Sequence, residues 1–357
     1  MNLTFKIFGI SLFSFVFFPV DSNFIFAQTL ERVEDRLILK DTNCDRLKKA
    51  QLSLKLWTES AHKNRTCPPL EKIESEGNLC FVEVTKCVPD HVKKYQNVKP
   101  EKQGPNCWNL SLVMKEILPG LRYSTPEEMS FYMRPPLCRS LKNNEKRMPG
   151  DVGAIRGIQG GQIQEEIHGF IYVSDDLVYS KNGFAADSPY EVQPLEKMFD
   201  LYDVSKGEEC RKNSINLKSK CTNVASYYRC DSMDNYLKKQ NKLAPEIKAS
   251  LKSLNTYEQC LQKSNIDGAI LSDNSMASIV DTTNALAKFV ESEYKKNSKK
   301  SRSLASDEGK DFVLGAIHLR IRAITEQLFL QESKEAEKAM ELSLMFEENY
   351  KKYLKTK

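Results

Sequence analysis

Histidine is scarce in this chain. The four present, His62, His91, His168 and His318, are scattered without the close spacing that zinc ligands need. No resident metal is expected, and no pattern calls for another cofactor. One-sided charge is also lacking, because 53 basic and 48 acidic residues leave a formal +5. That balance argues against a nucleic-acid binder and suits a mildly anionic surface. Past the N-terminus no stretch approaches the roughly 20 apolar residues of a membrane span, and there is no internal repeat. Gly157, Gly160 and Gly161 lack the lysine–serine pair of a phosphate loop and read as a hairpin turn. Glu165 and Glu166 are not a catalytic pair, since adjacent strand residues point to opposite faces.

Cysteine, by contrast, is plentiful. Ten residues are heavy usage for an intracellular protein and ordinary for a secreted one. Met1 to Ala27 carries Lys6, an apolar run from Ile7 to Val20 and a small residue at its end, which reads as a signal peptide cleaved after Ala27. The product is expected in the periplasm or outside the cell, without a membrane span. The remaining chain, about 330 residues, is long enough for two or more domains.

The expected organisation is a helical cap over 28–100, a catalytic region over 101–205, a cysteine-rich connector over 206–262 and a helical region over 263–357. The cap contains a helix from Asp45 to Ala61, with Trp57 on its apolar side. Stripes at helical spacing mark three further helices: Met276 to Tyr294, Val313 to Leu328 and Ala339 to Tyr353. Cys80 and Cys87, and the cluster Cys210, Cys221 and Cys230, read as disulfide material. If Cys107 is reduced, at least one more cysteine is unpaired, and Cys138 is the candidate.

The catalytic reading starts at Gly104-Pro105-Asn106-Cys107-Trp108-Asn109, a turn that leads into the apolar helical run Leu110 to Leu118. A thiol at a helix start lies near unpaired N–H groups and the positive end of the helix dipole, which favour thiolate. His168 lies in Glu165 to Val173, which reads as a strand that turns at Ser174-Asp175-Asp176 into a second strand, Leu177 to Asn182. The hairpin sets Ser180 to Asn182 across from His168. Nucleophile, base and orienting polar group then run in the order Cys107, His168, Asn182, with Ser180 as competitor for the third place. A productive pair holds sulfur and ring nitrogen roughly 3 to 4 Å apart.

These residues, with Met148-Pro149-Gly150-Asp151-Val152-Gly153-Ala154-Ile155 as a Pro-Gly-Asp strand opening, resemble the NlpC-type cell-wall cysteine peptidases. The likeness runs from Gly104 to near Asp187, about a quarter of the chain. It implies an α+β, papain-like core, with the cysteine on a helix packed on a small antiparallel sheet. It also implies hydrolysis of an amide bond in peptidoglycan stem peptides, or in another peptide. Asn106 and Trp108 stand where that family usually has Asp and Ser, which help bind the substrate's free amine; together with Ser180 they are the expected substrate contacts. Two other readings remain open: a disulfide-stabilised binding or structural protein, and a transglutaminase-like enzyme with Asp187 as third residue.

Overall fold

Alternation with period two organises the start of the chain. A computed structural model describes residues 28–61, 65–211, 221–240, 243–268, 273–298, 308–333 and 336–355; the expected signal peptide over residues 1–27, and His62, lie outside them. Leu30, Leu37 and Leu39 are buried on β1 (Thr29–Val33) and β2 (Arg36–Asp41). With β3 (Glu74–Glu76) and β4 (Leu79–Glu83) they form an antiparallel sheet in the order β1-β2-β4-β3. The expectation of a mostly helical cap is therefore corrected: a four-stranded sheet backs its one long helix. That helix, α1 (Cys44–Ala61), buries Leu47, Ala50, Leu54 and Trp57. The Asn43 side chain caps it by accepting from the N–H groups of Asp45 and Arg46, both at 3.0 Å. Disulfides Cys44–Cys80 and Cys67–Cys87 tie this layer together, and the short α2 (Asp90–Tyr95) follows.

The second sheet carries the cysteine–histidine region. Its strands are β5 (Cys138–Ser140), β6 (Val152–Gln159), β7 (Gln162–Tyr172), β8 (Leu177–Lys181), β9 (Tyr190–Pro194) and β10 (Asn223–Cys230). All neighbours are antiparallel, in the order β5-β10-β6-β7-β8-β9. The β6–β7 turn holds Gly160 and Gly161, both at positive φ. β10 lies in the stretch expected to be a connector and instead pairs along β6, a second correction. A third concerns Cys138, which is not free: it is bonded to Cys230, joining β5 to β10. Cys210–Cys221 is the fourth disulfide, and the free cysteines are Cys107 and Cys260.

Helices cover both faces of this sheet. α3 (Cys107–Met114) and α4 (Pro126–Tyr132) lie on one side, and α5 (Leu195–Leu201) on the other. Beyond α6 (Met233–Lys238), four long helices follow: α7 (Pro245–Ile266), α8 (Asp273–Ser298), α9 (Glu308–Leu330) and α10 (Ala336–Leu354). The last three match the expected stripes, and α7 occupies ground assigned to the connector. One buried apolar cluster runs from Leu30 through Val113, Met129 and Ile171 to Ile317 and Tyr353, so the N-terminal sheet, the α3 face and the C-terminal helices share a core. No described helix is long and apolar enough to cross a membrane.

Candidate active site

α3 begins where the Gly-Pro-Asn turn predicts. Asn106 is extended, and its side-chain oxygen accepts from the Asn109 N–H at 3.0 Å while its amide donates to the Ser124 carbonyl at 2.8 Å. Both ends of that buried side chain are engaged, so Asn106 is a helix cap and not a free substrate contact. Nearly every residue of α3 is buried, including Cys107 with 5% exposure. The helix can lie this close to β7 because residue 169 is glycine. A methyl group there would fall 3.1 Å from Ser111 Oγ, 3.2 Å from Met129 Cε and 3.3 Å from the Cys107 carbonyl oxygen.

β7 pairs with β6 along much of its length, but with β8 only at Ile171↔Tyr179 and Tyr172↔Val178. Tyr172 donates to the Asp151 carbonyl and accepts from the Gly150 N–H on the β6 side. Amide directions alternate along a strand, so the Gly169 N–H points toward β8, beyond the end of that ladder. There it meets the Cys107 sulfur. The thiol thus occupies a gap where two strands have parted.

His168 supplies the other half of that peptide link, but its ring faces away from α3. It shares a strand face with Phe170 and Tyr172, which pack with Leu195, Met198 and Phe199, whereas Ile171 belongs to the core on the α3 side. The imidazole is fully buried and stacked on Tyr202, with ring centroids 4.0 Å apart. Neither ring nitrogen has a hydrogen-bond partner. The expected thiol–imidazole contact is therefore not formed in this state, although sulfur and histidine flank the same peptide group. Asn182 does not orient the ring either; its buried Oδ1 has no partner. Ser180 accepts from Gln193 Nε2 at 2.6 Å and is fully buried, which removes it as a substrate contact. Trp108 is half-buried with an unpaired indole N–H, and Asp187 is exposed.

No family model, curated protein or solved structure matches the chain.

Burial dominates the electrostatics of the gap. It pushes the Cys107 thiol up to about 11, against the opposing pull of the N–H groups of Gly169, Trp108 and Cys107 and of the Lys181 charge. The expected lowering at the helix start is thus reversed, because desolvation of a thiolate outweighs a few amide dipoles. Burial likewise drives His168 down to about 3. At neutral pH both groups are uncharged.

Three neighbours of the sulfur escape a reading of motifs. Tyr123 is raised chiefly by burial, then by Glu326, Glu127 and Cys107, and Tyr202 by burial and Cys107, so both phenols lie within electrostatic reach of the sulfur. Tyr123 meets the exposed Phe184 edge-on, with centroids 6.4 Å apart. Lys181 is the third, completely buried and lowered to about 8 by that burial, with Cys107 and Asp187 acting to raise it. It closes β8 between Ser180 and Asn182, where spacing alone gives no signal for it. Among the described residues no three His, Cys, Asp or Glu side chains cluster as metal ligands would.

Proposed function

We propose that the chain is an exported cysteine hydrolase of NlpC-like architecture that cleaves an amide bond in peptidoglycan stem peptides. One observation carries this reading: a reduced thiol opens a buried helix and meets the N–H of Gly169, whose chain neighbour His168 carries a fully buried imidazole with two unpaired nitrogens. A buried polar group without a partner is destabilising, and a functional demand is one reason for its retention. Eight other cysteines are consumed in disulfides, the usage of an oxidising compartment such as the bacterial envelope.

In the proposed reaction His168 takes the thiol proton, and the sulfur attacks the amide carbonyl. The imidazolium then protonates the leaving amine, and water, deprotonated by the same ring, hydrolyses the thioester. The Cys107 N–H and the unpaired indole N–H of Trp108 are the donors offered to the oxyanion. The resting state holds thiol and imidazole neutral and apart, so the substrate must enter the β7–β8 gap and bring them together before proton transfer. Catalytic hydrogen bonds that tighten only on substrate binding are common.

Digestion of purified peptidoglycan tests the proposal. The wild-type chain is expected to release new amino termini; Cys107→Ala and His168→Gln reduce release to background while retaining the native circular dichroism spectrum, and Cys260→Ala leaves it unchanged. Release by Cys107→Ala at the wild-type rate overturns the assignment.

A further inference from the structure

Lys181 lies on the same face of β8 as Tyr179, which packs into the core on the α3 side, so it projects toward the helix that carries Cys107. It is completely buried, an unusual place for a lysine without a carboxylate in contact. Its ammonium donates to the carbonyls of Gly183 at 3.2 Å and Ala185 at 2.8 Å. Those carbonyls belong to the turn that presents Phe184 to Tyr123, and the Gly104 N–H donates to the Phe184 carbonyl at 3.0 Å. The lysine therefore ties the end of β8 to the turn that leads into the thiol.

The groups facing the sulfur are few. Besides Lys181 from β8 they are the backbone N–H of Gly169 from β7 and, within electrostatic reach, the neutral phenols of Tyr123 and Tyr202. Asp187 stands exposed behind the lysine. Among the described residues, Lys181 is the one cation in this set. A thiolate formed in so dry a gap needs an opposite charge, and backbone dipoles alone supply only part of it.

We propose that Lys181 is a positioning residue of this site, the counter-charge that stabilises the ionised sulfur of Cys107 while its ammonium anchors the aromatic turn beside it. The inference rests on the reading of Cys107 as nucleophile and names the feature that makes its ionisation attainable.

The test uses the full chain and no wall substrate, so its outcome is independent of whether peptidoglycan is cleaved. Alkylation of Cys107 by iodoacetamide, followed across pH by peptide mass spectrometry, reports the thiolate fraction. At pH 7, where the ammonium is still charged, Lys181→Met is expected to react roughly tenfold more slowly than wild type, and Lys181→Arg to restore most of the rate. A purely structural staple leaves the profile in place; superimposable profiles for Lys181→Met and wild type overturn the proposal.

Should Lys181→Met fail to fold, the wild-type chain gives a second reading. The rates of an anionic and a cationic methanethiosulfonate at Cys107 are compared with their ratio at free 2-mercaptoethanol. A cation beside the sulfur raises the preference for the anion roughly tenfold; an equal or lower ratio overturns the proposal.

Discussion

His168 shows what a single buried residue does to the acid stability of the chain. Its ring is neutral when folded because protonation in a dry, aromatic surround is unfavourable, and its pKa falls to about 3 from an ordinary 6.5. Between those values the unfolded chain holds a proton that the folded chain does not. Stability therefore rises with pH across that window, and it is lost as pH drops from about 6.5 toward 3. The expected slope from this one group approaches about 1.4 kcal/mol per pH unit. Chemical denaturation from pH 4 to 7 reads it as the difference between wild type and His168→Phe, which fills the same stack on Tyr202 and Phe170 without titrating. Parallel curves for the two proteins refute it. The sequence disclosed that His168 lies on a strand. It did not disclose the strand face, the stack on Tyr202, or the burial that reverses the helix-tip effect at Cys107, because those depend on α5 and on residues far along the chain.

Between elements, the decisive contact is a buried set of charges. Arg122 precedes α4 and pairs with Glu128 of α4 through two hydrogen bonds, at 2.7 and 2.8 Å, and with Glu258 of α7 at 3.2 Å. Arg320 of α9 also reaches Glu258, at 2.7 Å. All four side chains are essentially unexposed. The carboxylates hold the Arg122 guanidinium charged in spite of burial. Removing Glu258 leaves the buried Arg320 guanidinium without a carboxylate, so Glu258→Ala is expected to destabilise by about 3–5 kcal/mol, measured by urea unfolding. A loss under about 1 kcal/mol, the range of an exposed pair, contradicts this account.

None of that network is visible from spacing, since its bonded partners lie 6 to 136 residues apart. What spacing did reveal were the helices whose apolar stripes repeat over several turns: α1, α8, α9 and α10. The N-terminal hairpin was misread as helical because charged residues interrupt Leu30, Leu37 and Leu39, and β10 was missed because its partner β6 lies about 70 residues earlier.

Across the whole molecule, the C-terminal helices bear directly on the thiol. Gln327 of α9 accepts from the Tyr123 N–H at 2.6 Å and donates to the Gln103 carbonyl at 3.1 Å, 204 and 224 residues away. Asn265 at the end of α7 accepts from the Glu101 N–H at 2.7 Å. Gly104 is the residue that permits this grip: its φ is +147°, and a methyl group there would fall 2.1 Å from Gln327 Oε1. The turn that delivers Cys107 is thus clamped between the carbonyl of Phe184, in the loop after β8, on one side and two helices from the far end of the chain on the other. In Gln327→Leu the Tyr123 N–H and the Gln103 carbonyl lose their partner, and each lost, partly buried hydrogen bond is destabilising by about 0.5–1.5 kcal/mol. The turn then loosens, water reaches the sulfur, and the burial that holds the thiol near 11 weakens. Two measurements should move together: a lower urea midpoint, and several-fold faster alkylation of Cys107 at pH 8. If stability falls while Cys107 reactivity stays constant, the helices merely pack against the sheet and the clamp has no bearing on the nucleophile.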